Sequence, residues 1–162
     1  MRILVAAVAA ALGLTGCATI SGAATGGGVE SIRYETGPCF GACPVYTATV
    51  NRDGTGLFEG RRFTAVSGER RFTLTPAQFD AFARQLEPLR PASGDQRYSG
   101  DECGVMATDL PSADIRWRGS DGAEQHLYFY FGCDMERNRA IADRIRAAPE
   151  LLPIGELIGR DR

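Results

Sequence analysis

Val45-Tyr46-Thr47-Ala48-Thr49-Val50-Asn51-Arg52-Asp53-Gly54-Thr55-Gly56-Leu57-Phe58-Glu59 decides the fold class. Residues 45–50 are rich in β-branched side chains, which suit a pleated, half-buried surface. Asn51-Arg52-Asp53-Gly54 interrupts that run with residues that hydrogen-bond their own backbone and a glycine that takes a positive φ without steric cost. Residues 55–59 return as a second strand. One hairpin is marginal alone and needs more strands or a helix to cover it, and the flanking sequence supplies both. Upstream, residues 31–35 alternate as a strand. Downstream, residues 62–66 and 70–74 read as another pair joined at Ser67-Gly68-Glu69, with Phe72 and Leu74 on one face and Arg71 and Thr73 on the other. That alternation predicts a sheet with one covered and one wet face.

A helix follows with a complete start signal. Thr75 is the expected N-cap, Pro76 the first helical residue and Gln78 the partner in a capping box, with Leu74 and Phe79 placed as a hydrophobic staple. Phe79, Phe82, Ala83 and Leu86 follow the i, i+3, i+4, i+7 pattern, and Pro88 ends it. Residues 91–111 read as a long loop holding Cys103, and a loop of that length in a compact domain implies a cross-link or a function. Residues 114–118 form a strand with Ile115 and Trp117 inward, turned at Gly119-Ser120-Asp121-Gly122. Residues 124–131 form the strongest strand, with Leu127, Phe129 and Phe131 on one face and His126, Tyr128 and Tyr130 on the other, as expected of a central strand. Residues 136–147 form a second helix with Ile141 and Ile145 inward. This order argues one α+β domain: an antiparallel sheet of β-hairpins with two helices packed on it.

The 162 residues are 44% hydrophobic and 23% charged, with a net charge of −2, which fits a globular domain rather than a disordered chain. All 18 basic residues are Arg, set against 20 acidic ones. Nucleic acid is therefore not an expected partner. With one histidine, His126, multi-His metal chemistry is excluded within one chain.

Arg2 is followed by an uncharged run over residues 3–14, about a dozen residues, too short to span a bilayer that needs roughly 20. It reads as the apolar core of an export signal. It ends in Leu14-Thr15-Gly16-Cys17, which resembles the lipobox of bacterial lipoproteins. The resemblance implies that residues 1–16 are removed and that Cys17 carries the acyl chains that tether the protein to the membrane. A plain signal peptide cut elsewhere is the alternative. Ala18 after the lipidated Cys implies, by the same resemblance, the outer membrane facing the periplasm. Residues 17–29 are the expected flexible tether, reaching about 15–20 Å, and residues 30–158 the domain. The mature chain has a net charge of −3, so charge does not draw it to anionic lipid.

Cys39, Cys43, Cys103 and Cys133 remain. In an exported chain four cysteines read as two disulfides in one of three connectivities. Gly37-Pro38-Cys39-Phe40-Gly41-Ala42-Cys43-Pro44-Val45-Tyr46 resembles the C-F-G-x-C-P-x-Y signature of a bacterial exported family known as domain of unknown function 6438. Asp53-Gly54, Thr108-Asp109-Leu110-Pro111 and Tyr130-Phe131-Gly132-Cys133 resemble further segments of that family. The resemblance spans roughly residues 31–146 and implies no activity. It implies the pairing Cys39–Cys43 and Cys103–Cys133.

A redox dithiol at Cys39 and Cys43 is the main alternative, although the spacing is not C-x-x-C and no thioredoxin-like βαβ pattern surrounds it. Four thiolates could hold a metal, which an oxidising compartment disfavours. His126 could act as a general base with Glu124 as orienter, or in a hydrolase with a loop carboxylate, but no nucleophile motif accompanies it. Tyr34, Tyr46, Tyr98, Tyr128 and Tyr130 could form an aromatic patch, though a core role is commoner. Arg61-Arg62 and Arg70-Arg71 could grip an anion. Asp95, Asp101, Glu102 and Asp109 lack the spacing of a Ca²⁺ site. The expectation is a non-enzymatic envelope lipoprotein without a catalytic residue, metal or cofactor. Its partner is the membrane, through the lipid, with an envelope protein or small ligand at the domain.

Overall fold

The computed structural model describes residues 28–159. Cys17, the leader and residues 17–27 of the expected tether lie outside them. Seven strands form one sheet: β1 (Val29–Thr36), β2 (Val45–Asn51), β3 (Thr55–Arg62), β4 (Gly68–Thr73), β5 (Gly94–Tyr98), β6 (Ser112–Gly119) and β7 (Glu124–Tyr130). Their order is β4-β3-β2-β1-β6-β7-β5, and only the β5–β7 pair is parallel. The helices are α1 (Pro76–Leu86), α2 (Arg139–Ala147) and the short α3 (Gly155–Ile158). This is the α+β architecture expected from the hairpins and helices.

The leading hairpin forms as the residues dictate. Asp53 Oδ1 accepts from the Thr55 amide at 2.9 Å and the Thr55 hydroxyl at 2.6 Å, which closes the turn. On one face of the sheet, Ile32, Tyr34, Ala48, Phe58, Ile115 and Trp117 are buried beneath Phe79, Phe82, Leu86 and Ile145 of the two helices. Tyr34 OH donates to the Ile145 carbonyl at 3.1 Å, tying the central strand to α2. The capping box of α1 is complete: the Thr75 hydroxyl accepts from the Gln78 amide, and the Gln78 side chain accepts from the Thr75 amide. Such a cap contributes about 1 kcal/mol. The other face is the expected wet one, carrying Arg33, Glu35, Arg116, Tyr128 and His126.

Several boundaries differ from the sequence reading. Residues 62–66 do not form a separate strand; β3 runs on to Arg62, and its partner is β4, so Phe63 to Ser67 form the connection. The 91–111 segment is not all loop: β5 adds to the sheet edge beside β7. Helix α2 starts at Arg139 rather than 136, because Asp134 to Asn138 form a turn first, with the Asn138 amide donating to Asp134 O at 2.9 Å. Val29 is already in β1 and buried, so the tether stops short of 29.

Candidate functional site

The sheet has two unlike ends. At one lie the β2–β3 and β6–β7 turns and the start of β1, where the Ser120 amide donates to Gly28 O. At the other, the ends of β1, β3, β5 and β7 meet the starts of β2, β4 and β6. Both disulfides sit at this second pole, paired Cys39–Cys43 and Cys103–Cys133. They are the two bonds the family resemblance implied.

The bridges differ in setting. Cys103 and Cys133 are each 1% exposed, while Cys39 and Cys43 are half-buried. The first pair pins a loop that reaches across the pole, where the Phe40 amide donates to Asp109 O at 3.1 Å and the Gly37 amide to Ser112 O at 2.8 Å. The second bridge holds the loop after β5 against the end of β7. Gly132 permits that approach: a Cβ there would collide with the Ala107 carbonyl, while the Ala107 amide donates to Gly132 O at 2.9 Å.

Three observations converge on this pole. Of the large hydrophobic side chains exposed among the described residues, Phe40 (87% exposed), Phe63, Val105, Met106 and Met135 lie on its loops, and only Leu151 lies elsewhere. The non-glycine residues with positive φ among the described residues are Phe63, Asp109 and Asp134, all in pole loops. Backbone strain of that kind persists where the surrounding structure over-determines it, and it clusters at ligand clamps and switch regions. Below the pole, on the helical side, cavities of about 390 Å³ and 160 Å³ adjoin at Phe131 and Arg146. Cys133 lines the larger and Cys43 the smaller. A third cavity of about 670 Å³ lies beyond α2, between β4 and the chain from Pro149 to Ile158.

His126 sits apart from the pole cavities, on the wet face. Its Nδ1 lies 3.0 Å from Asp95 Oδ1 and its Nε2 2.8 Å from Asp114 Oδ2. Both ring nitrogens are thereby engaged by acceptor carboxylates, and neither addresses a hydroxyl or thiol nucleophile. Glu124, the expected orienter, instead pairs with Arg118 at 2.6 Å. Asp95 comes from β5, so the histidine fastens this edge strand to the sheet. No sequence motif flags that contact across 31 positions.

The remaining candidates disperse. Tyr34 and Tyr46 are core residues stacked on neighbouring rings, Tyr98 packs against Phe129, and Arg97 lies 4.1 Å over Tyr128. Tyr130 OH accepts from the Leu110 amide. Arg61 belongs to an ion network instead of an open anion grip, donating to Glu35 at 2.7 Å and to Thr47 at 2.9 Å. Arg33 also pairs with Glu35. Burial works to raise the Glu35 carboxyl, but the Arg61 hydrogen bond and the charges of Arg33 and Arg61 outweigh it, leaving Glu35 below its ordinary value. Arg62 stacks on Phe63, and Arg70 donates to its neighbour's carbonyl. Asp101 and Glu102 sit on a short 3-10 turn and do not converge with Asp95. Among the described residues, no cluster of His, Cys, Asp and Glu side chains is arranged to hold a metal, and no helix is long and apolar enough to cross a membrane.

A sequence model of the family described as Domain of unknown function (DUF6438) matches residues 30–149. No curated protein matches the chain.

Proposed function

The chain belongs to the DUF6438 family, and from that premise we propose that it is a lipid-anchored protein of the bacterial cell envelope whose domain binds another envelope component through the disulfide-pinned pole. Cys17 would carry the acyl chains, placing the domain at the outer membrane on its periplasmic side. The tether joins at Val29, and β1 then runs eight residues, about 26 Å, to the pole. The chain enters the domain at the end of the sheet opposite the pole, so a lipid tether joined there would leave the pole uncovered. The observation that carries the reading is the gathering of exposed apolar side chains, strained backbone and both cross-links on that one end. Exposed apolar side chains concentrated at one end of a domain are candidates for an interaction site in a protein that must otherwise stay soluble.

The test is photo-cross-linking in cells from a probe replacing Phe40 or Val105, with Arg118 at the opposite end as control. The reading expects a discrete adduct from the pole positions alone. No adduct, or the same adducts from Arg118, contradicts it.

A second reading, a thiol-redox protein, is favoured by one observation: Cys39–Cys43 is partly exposed, and Cys43 lines a cavity. A reduction potential for that pair below about −300 mV would make it a structural bond, and a higher one would support redox exchange.

A further inference from the structure

The geometry points to the pole as a docking face for a cationic amphipathic segment of a protein partner. This rests on the reading of the pole as the binding end and adds the partner's chemistry. The apolar part of the face is built on one short ladder. The chain from Val105 to Asp109 runs antiparallel to residues 132–134: Met106 pairs with Cys133, the Asp134 amide donates to Val105 O at 2.8 Å and the Ala107 amide to Gly132 O at 2.9 Å. This ladder sets Val105, Met106 and Met135 beside one another, each at least half exposed. The Cys103–Cys133 bridge ties its two sides together. At the far end of the same stretch Asp109 O accepts from the Phe40 amide, which brings the exposed Phe40 to that end. From Val105 to Asp109 the chain spans about 13 Å, which two to three turns of a helix would cover. The two thioethers can adapt to apolar side chains of varied shape.

Charge selects what covers this face. The connections that build the pole are residues 37–44, 63–67, 99–111 and 131–138. They hold five carboxylates, Asp101, Glu102, Asp109, Asp134 and Glu136, and one guanidinium, Arg137. Elsewhere in residues 28–159 the formal charges cancel, with fourteen acidic side chains against fourteen arginines, so the net charge of this segment belongs to the pole loops. Arg62 and Arg139, at the ends of the flanking elements, lower the excess to two negative charges without removing it. None of the five carboxylates has an ion-pair partner among the described residues, whose salt bridges all lie elsewhere. Asp109 and Asp134 are held beside the apolar stretch at φ 68° and 36°, a backbone conformation that aspartate tolerates better than most residues. Among the described residues the carboxylates do not converge on a metal ion, so their counter-charge is spread over a surface. An anionic lipid surface, an acidic protein or the pole of a second copy would be repelled. A segment with leucine-like side chains on one face and lysine or arginine on the other meets both the apolar stretch and its acidic rim.

The experiment follows the fluorescence anisotropy of a labelled helical peptide of about 14 residues, roughly 21 Å long, with leucine on one face and lysine on the other. The full chain in an uncharged detergent is the titrant, with empty micelles as the blank. Two further peptides carry glutamate in place of lysine, or serine in place of leucine. The leucine–lysine peptide should bind at least tenfold tighter than either, and its affinity should fall as salt rises. Asp101→Asn with Glu102→Gln and Glu136→Gln should cost that peptide at least tenfold. Glu30→Gln with Glu87→Gln and Glu156→Gln, the same change of charge away from the pole, should leave it unchanged. Val105→Ser with Met106→Ser and Met135→Ser keeps every carboxylate and should also cost at least tenfold. Equal binding of the lysine and glutamate peptides, or an equal loss in the two charge variants, overturns the cationic partner. Full affinity in the serine variant of the chain overturns the apolar face. If the leucine–lysine peptide fails to bind while the Phe40 adduct persists, only the partner's chemistry falls. If both fail, the reading of the pole as the binding end falls with it.

Discussion

Removing each disulfide separately gives the sharpest test of what holds the pole together. Cys103–Cys133 spans 30 positions and Cys39–Cys43 spans 4. Loop closure in the unfolded chain makes these worth about 3.6 and about 1.9 kcal/mol. For a domain of about 130 residues, the entropy of unfolding is about 0.27 kcal/mol/K. Cys103→Ala/Cys133→Ala should therefore lower Tm by about 13 °C, and Cys39→Ala/Cys43→Ala by about 7 °C. The gap should widen, because the first pair of sulfurs is 1% exposed and leaves a buried void, whereas the second is half-buried. Thermal and urea unfolding of the full chain measures both, and a rise in the urea m-value on removing the longer link would report a less compact denatured chain. An equal loss for the two pairs, or a larger loss for Cys39–Cys43, would refute the view that the long bridge stabilises the fold and the short one only shapes a loop.

Three further outcomes follow from particular contacts. Thr75→Ala removes the side-chain half of the capping box and should cost about 1 kcal/mol in urea unfolding. Glu35 sits below its ordinary value of 4.5 in the fold, so its ion pairs stabilise fully above that pH and are lost as pH falls through the depressed folded value. The stability difference between the natural chain and Glu35→Gln should accordingly be constant from pH 6 to 8 and shrink below about pH 4.5. His126→Ala unfastens Asp95 from the sheet, so amide exchange should quicken across β5 with the helices unaffected; unchanged β5 protection would show that the backbone ladder alone holds that strand.

Much of this fold can be read along the chain because its strongest signals are local. The Asp53 turn, the Thr75 capping box and the alternation through Leu127 and Phe129 each lie within a few residues of what they determine. β5 was hidden because Gly94-Asp95-Gln96-Arg97-Tyr98 has no apolar alternation. An exposed edge strand needs only its backbone to join a ladder, and polar residues there guard the edge. The start of α2 was misplaced because Asp134 and Asn138 supply turn hydrogen bonds that compete with the helix. The partners of His126 were invisible because the strand order brings Asp95 and Asp114 beside it from 31 and 12 positions away. At the pole, the cysteines were legible and their pairing followed from a family resemblance. The strained Phe63, Asp109 and Asp134 were not, since nothing in those residue types demands a left-handed backbone. The cavities beneath the pole depend on α2 lying against Phe131, a packing relation no local pattern contains.

The anchored, oxidised state is tested most directly by the intact mass of the protein extracted from its native membranes, recorded before and after reduction and alkylation. The account predicts a chain beginning at an acylated Cys17, with four further sulfurs that take up alkylating reagent only after reduction. A chain that retains residues 1–16, one without acyl groups, or one whose thiols react before reduction would contradict it.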